Sequence, residues 1–217
     1  MAQARPHATV RGPTFIRLLA RLADTDVASP GASLPDRLGQ WLDWKHALAL
    51  SAALDGRPDV PETAAAATAA LSAECTQTRE TLAAAIKDDP QLAPGAPLTD
   101  EPDYAAFRQA CLARQRAMQA STGRLRGRLR DALAQTSPEA ARLAEVDAVM
   151  EVALSPREQA LLANVPELLG QRFERLRVAG AGAWLDGFRR DMQSVLLAEL
   201  DLRFQPVDAL LAALHTI

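Results

Sequence analysis

Residues 121–133 read STGRLRGRLRDAL. Arg124, Arg126, Arg128 and Arg130 occupy alternate positions, with Leu125, Leu129 and Leu133 among them. In a strand, alternation every two residues would gather the arginines on one face. In a helix each residue advances about 100°, so Arg124 and Arg128 share one side while Arg126 and Arg130 lie roughly opposite. The leucines, at i, i+4 and i+8, then form an apolar line flanked by two basic stripes. Composition decides for the helix. Apolar residues make up 48% of the chain and aromatics only 4%. Alanine and leucine dominate and favour helices; β-branched and aromatic residues, which favour strands, are scarce. The expected class is all-α, a bundle of about 7–8 helices with a long antiparallel coiled-coil hairpin.

The opening stretch lies in a helix expected from about Asp103 to Gln135. Phe107, Cys111, Arg114, Met118, Ser121, Leu125 and Ala132 approximate a heptad repeat. Upstream, Leu71, Cys75, Thr78, Leu82 and Ala85 are spaced 4, 3, 4, 3 in a helix ending near Asp89. Between them, QLAPGAPLTDEP (91–102) is the strongest break in the chain. Two helices of roughly 45 Å with one breaker suggest a hairpin, its seam formed by Leu71, Leu82, Phe107, Met118 and Leu125. A turn near Gly95 would make facing residue numbers sum to about 190. Cys111 would then face the neighbourhood of Arg79, and Cys75 that of Gln115, too far apart for a disulfide. Residues 103–136 hold seven Arg against Asp103 and Asp131, whereas residues 59–89 hold six acidic residues against Arg79 and Lys87. Exposed ion pairs contribute only about 0.2–1 kcal/mol each, but they select partner and orientation.

Four segments follow. Residues 1–12 read as a flexible tail, 13–56 as an N-terminal helical pair, 57–136 as the hairpin, and 137–217 as a C-terminal bundle packed with 13–56. Phe15, Leu18, Leu19 and Leu22 share one face of the first helix. Ser33 caps a helix expected to run unbroken to Asp55-Gly56, with Leu34, Leu38, Trp41, Leu42, Leu48 and Ala49 as its stripe. Asp59-Val60-Pro61-Glu62 has capping-box spacing. Ser137-Pro138, Ser155-Pro156-Arg157-Glu158 and Asn164-Val165-Pro166-Glu167 read as helix starts. Leu143, Val146, Met150 and Leu154 form the apolar face between the first two. After a turn near Gly180–Gly182, a helix from Trp184 to about Phe204 ends at Gln205-Pro206, and a short one closes the chain. Asp186, Asp191, Glu199 and Asp201, alternating with Arg189, Arg190 and Arg203, read as its solvated face.

The net charge of −3 excludes polyanion binding by bulk electrostatics. Cys75 and Cys111 form no C-x-x-C pair, and His7, His46 and His215 are dispersed. Nucleotide-loop, nucleophile-elbow and H-E-x-x-H patterns are missing. Asp88-Asp89 reads as a surface pair beside Pro90. No catalytic, metal-binding or cofactor-binding residue is assigned, and no cofactor is expected. No apolar run approaches the roughly 20 residues of a membrane span, and Arg17 and Arg21 cut FIRLLARLA, so a cytoplasmic protein is expected. One candidate surface remains: Arg114, Arg124, Arg126, Arg128 and Arg130. Pairing within or between subunits is its simpler use, because an acidic helix matches it and no aromatic platform is interleaved for nucleic acid.

GPTFIRLLARLADTDVASPGASLPDRLGQWLDWKHALALSAALDG and SPREQALLANVPELLGQRFERLRVAGAGAWLDGFRRDMQSVLLAELDLRFQP resemble a proteobacterial domain-of-unknown-function family, number 3348. The resemblance implies a cytoplasmic helical protein without assigned activity. It also implies a neighbourhood of membrane-anchored coiled-coil and peptidoglycan-binding proteins, as in MotA/TolQ-like assemblies. The expected function is a non-enzymatic, self-associating adaptor. The alternative is a nucleic-acid binder using Arg124–Arg130.

Overall fold

In the computed structural model of the chain, the 121–133 stretch is helical, with Leu125, Leu129 and Leu133 buried as one line. Residues 14–24, 33–56, 65–93, 95, 102–180 and 183–216 are described. Among them are eight helices and no strand: α1 (Thr14–Ala23), α2 (Leu34–Trp41), α3 (Trp44–Asp55), α4 (Ala65–Lys87), α5 (Tyr104–Leu133), α6 (Pro138–Leu162), α7 (Val165–Ala179) and α8 (Trp184–Thr216). The fold is all-α. The tail at 1–12 and the capping box at Asp59–Glu62 lie outside the described residues.

α8, with 33 residues and a length of about 50 Å, is the central post. It packs against α1, α4, α5, α6 and α7, and α5 packs against α4, α6, α7 and α8. One hydrophobic cluster joins these six helices, and it contains all five seam residues. At one end, the rings of Tyr104, Phe107, Phe173, Trp184 and Phe188 interlock with centroid separations of 5.1–6.2 Å. A Cβ at Gly170 would come within 2.9 Å of Tyr104 Cε1, so the close approach of α7 to this nest requires glycine.

α4 and α5 run antiparallel, since Asp89 pairs with Arg114 and Glu74 with Arg128. Their register differs from the expected one. These pairs sum to 203 and 202 rather than about 190, so facing residues are offset by about a dozen positions from that expectation. The loop start is held by α8: Arg189 Nε donates to Gln91 O (3.1 Å), and Asp186 Oδ1 accepts from Gly95 N (3.0 Å). The seam of α5 is also shifted. Gln115 and Thr122 are buried where Arg114 and Ser121 were expected, because the pattern favours whichever neighbour packs toward α8. Cys75 and Cys111 are free and buried.

Further expectations are corrected. The helix from Leu34 breaks at Asp43, whose side chain caps α3 through His46 N (2.9 Å). Leu48 and Ala49 consequently face outward, and Ala53 is the buried residue of α3. α6 continues through Pro156 and α8 through Pro206, where breaks were expected. The buried residues of α6 include Ala140, Ala141, Ala144 and Ala153, while Leu143 is exposed. Small side chains let α6 lie between two layers, α3 on one side and α5 on the other. Asn164 precedes α7 in helical geometry and makes no side-chain cap, so the expected box there is not formed.

Candidate functional site

The five candidate arginines separate by direction. Arg126 Nη2 lies 2.7 Å from Asp147 Oδ1, and Arg130 Nη1 lies 3.1 Å from Asp147 Oδ2 and 2.5 Å from Glu151 Oε2. This pair therefore clamps α6. Arg128, on the other stripe, pairs with Glu74 of α4. Arg114 sits three turns away on Asp89, with Nε and Nη2 at 3.2 and 2.8 Å from Oδ2. Arg124 donates to Ser121 Oγ (3.2 Å) and remains exposed. The guanidinium groups are thus distributed over two helix contacts. The acidic partner of Arg126 and Arg130 is α6, not the acidic α4 expected from charge counts. Asp89 is likewise buried and paired, not a surface group.

Of the α8 charges expected to face solvent, Arg190 and Asp201 do, whereas Arg189, Glu199 and Arg203 are buried. Glu199 is 0% exposed and Arg203 9%. Gln115 Nε2 donates to Glu199 Oε2 (2.9 Å) and to Leu162 O (3.1 Å), the last turn of α6. Arg203 Nε and Nη2 lie 2.9 and 2.8 Å from Glu199 Oε1, and Nη1 lies 3.3 Å from Glu158 Oε1. Burial pushes the Glu199 carboxyl above its ordinary range, against the opposing pull of Gln115 and Arg203. Burial, with the Glu199 charge nearby, also pushes the Cys111 thiol up to about 12, so it is not a thiolate nucleophile at neutral pH.

Beside this cluster a groove of about 460 Å³ runs between α5, α6 and α8, lined by Gln119, Arg126, Glu151, Ser155, Glu158 and Arg203 among others. Both helix-internal prolines, Pro156 and Pro206, border it. Its charged groups are already matched in pairs. Among the described residues, no three His, Cys, Asp or Glu side chains are placed to hold a metal ion. No helix of the described residues is long and apolar enough to cross a membrane.

The third feature is apolar and outward-facing. α3 packs on α6, fastened by Arg142, whose Nε and Nη2 donate to Gly56 O (3.2 and 2.8 Å). Arg157 of α6 lies over the Trp41 ring at 5.7 Å. The opposite side of α3 carries Trp44, 76% exposed, and Leu48, 53% exposed.

A family model described as a protein of unknown function, DUF3348, matches residues 1–216. The chain belongs to that family. No curated protein and no solved structure matches it.

Two features of this DUF3348 fold escaped the sequence reading. Glu199 stands three and four residues after Leu196 and Val195, on the apolar stripe of α8. That position was the available sign of its burial. The outward face of α3 was hidden because Asp43 was not recognised as a cap.

Proposed function

We propose that the protein is a non-enzymatic helical adaptor, acting from the cytoplasm on a membrane-linked assembly, and that α3 supplies its contact face. The observation that carries this reading is the exposure of Trp44 and Leu48 on the side of α3 turned away from its contact with α6. Large apolar side chains grouped on a surface mark interaction sites more often than isolated ones do. The paired state of Arg114, Arg126, Arg128 and Arg130 favours a scaffold role for α5 over nucleic-acid contact, since a phosphate backbone would have to displace intramolecular carboxylates. Affinity capture from the native host, read by mass spectrometry, tests the proposal. The wild-type chain is expected to retain a protein set that Trp44→Glu/Leu48→Glu loses while its circular dichroism is unchanged. An identical set with both chains would refute α3 as the contact face.

A further inference from the structure

We infer that α3 pairs with α3 of a second copy of this chain, antiparallel about a two-fold axis that crosses between Leu48 and Ala52; this rests on the reading of α3 as a contact face. On a helical projection, Trp44, Lys45, Leu48, Ala52 and Asp55 fall within about 100° of one another. All five are exposed. They lie away from Ala53, which is buried. The face is large at one end and small at the other: Trp44 and Leu48 near the start, Ala52 near the finish. Inverting one copy on the other sets Leu48 over Ala52 and carries Trp44 past the last turn of its neighbour, so bulk meets a small side chain in both halves of an isologous contact.

Charge carries the argument further. Lys45 stands in the first turn of α3 and Asp55 is its last residue. Each charge therefore sits at the helix end whose dipole disfavours it. Neither forms an ion pair among the described residues, and Asp55 accepts only from Ser51 Oγ (3.5 Å). In an antiparallel pair with residue numbers summing to 100, Lys45 of each copy meets Asp55 of the other. Each charge also approaches the favourable dipole end of its neighbour. An arrangement unfavourable within one copy is complementary in two. α3 is only about 18 Å long, so the contact falls below the roughly 800 Å² per partner of a stable complex, and the dimer is weak and concentration-dependent.

Sedimentation velocity on the full chain over a wide concentration range tests this, using Lys45→Glu, Asp55→Lys, the double reversal and Trp44→Ser. Each single reversal improves the helix dipole, so loss of association cannot be ascribed to unfolding. The wild-type chain should shift from monomer to dimer with concentration. Each single reversal should weaken association by roughly tenfold by turning two attractions into repulsions, and the double reversal should restore it. Trp44→Ser should abolish it. A monomer at the highest soluble concentration, a dimer indifferent to Trp44→Ser, or a double reversal that fails to restore pairing would overturn the inference. A strict monomer that still captured host protein through Trp44 would end self-pairing while leaving the adaptor reading standing.

Discussion

Replacing Arg203 by Met tests the buried polar cluster most directly. Methionine roughly keeps the volume but removes the groups 2.8 and 2.9 Å from Glu199 Oε1. Glu199 would remain fully buried with Gln115 as its polar partner. Removing one member of a buried ion pair costs about 3–5 kcal/mol, because the other charge stays desolvated and uncompensated. The cost should depend on pH in a defined sense. Burial raises the folded-state affinity of Glu199 for its proton above that of the unfolded chain, whose ordinary value is 4.5. The folded state then holds the proton more tightly, so this group's contribution to stability falls as pH rises from about 4.5 through the raised folded value. Losing Arg203 widens that window. Urea unfolding followed by far-ultraviolet circular dichroism, at pH 7 and stepped downward, should show the variant far below wild type at pH 7 and converging on it with acid. Adding Glu199→Leu should recover most of the loss. A loss below about 1 kcal/mol at pH 7, or one independent of pH, would refute the account of Glu199 as a buried carboxyl whose charge depends on Arg203.

Three other outcomes are expected. Gly170→Ala should destabilise by about 1–3 kcal/mol, because the new Cβ meets Tyr104 Cε1 at 2.9 Å in a filled nest; thermal melting would show it. Arg126→Ala should lower stability clearly, whereas Arg124→Ala should stay within about 0.5 kcal/mol, since of these two Arg126 bridges to Asp147 and Glu151 while Arg124 reaches Ser121 of its own helix. Denaturant midpoints of the two variants, measured side by side, decide this. Pro206→Ala should raise the melting temperature by restoring an amide donor toward Leu202 O inside α8, a gain of about 1–3 kcal/mol. A fall would mean that the packing of Val207 and Leu210 depends on the proline.

The legible parts of this fold are those whose signal is local. Leu125, Leu129 and Leu133 announce a buried line whatever packs on it. Ser33 with Asp36 and Ser137 before Pro138 form caps as their chemistry dictates. Gly180 ends α7 in the left-handed conformation (φ 62°). The prolines were misleading for the opposite reason. Pro156 and Pro206 each remove a helical hydrogen bond, which locally argues for a break. Burial of Leu162 beyond the first, and of Val207, Leu210 and Leu214 beyond the second, holds the helices continuous. The face of α6 was hidden because alanines, not its larger apolar residues, are what the tight layer buries. Glu199 and Arg203 have the i, i+4 spacing of a surface pair; only the arrival of Gln115 and Glu158 from other helices makes them interior.

The helix ends show what the long polar side chains accomplish together. The final carbonyls of a helix have no intrahelical donor and must be satisfied from elsewhere. Glycine in a left-handed cap is the common local solution, and α7 uses it. At four other helix ends a donor comes from a neighbouring helix. Arg175 reaches Leu22 O at the end of α1, and Arg142 reaches Gly56 O after α3. Gln193 Nε2 donates to Lys87 O of α4 (3.1 Å), and Gln115 to Leu162 O of α6 (3.1 Å). Each contact caps one helix and fixes its axial position against another in the same bond. Sliding α6 along α5 and α8 by one turn, about 5.4 Å, would strand the Leu162 carbonyl, part Glu158 from Arg203, and misalign Arg126 and Arg130 with Asp147 and Glu151. Leucine and alanine stripes alone would tolerate such a slip, because their shapes repeat at nearly that interval. Arginine and glutamine, long enough to cross from one helix to the end of the next, therefore supply the register that the apolar pattern leaves open.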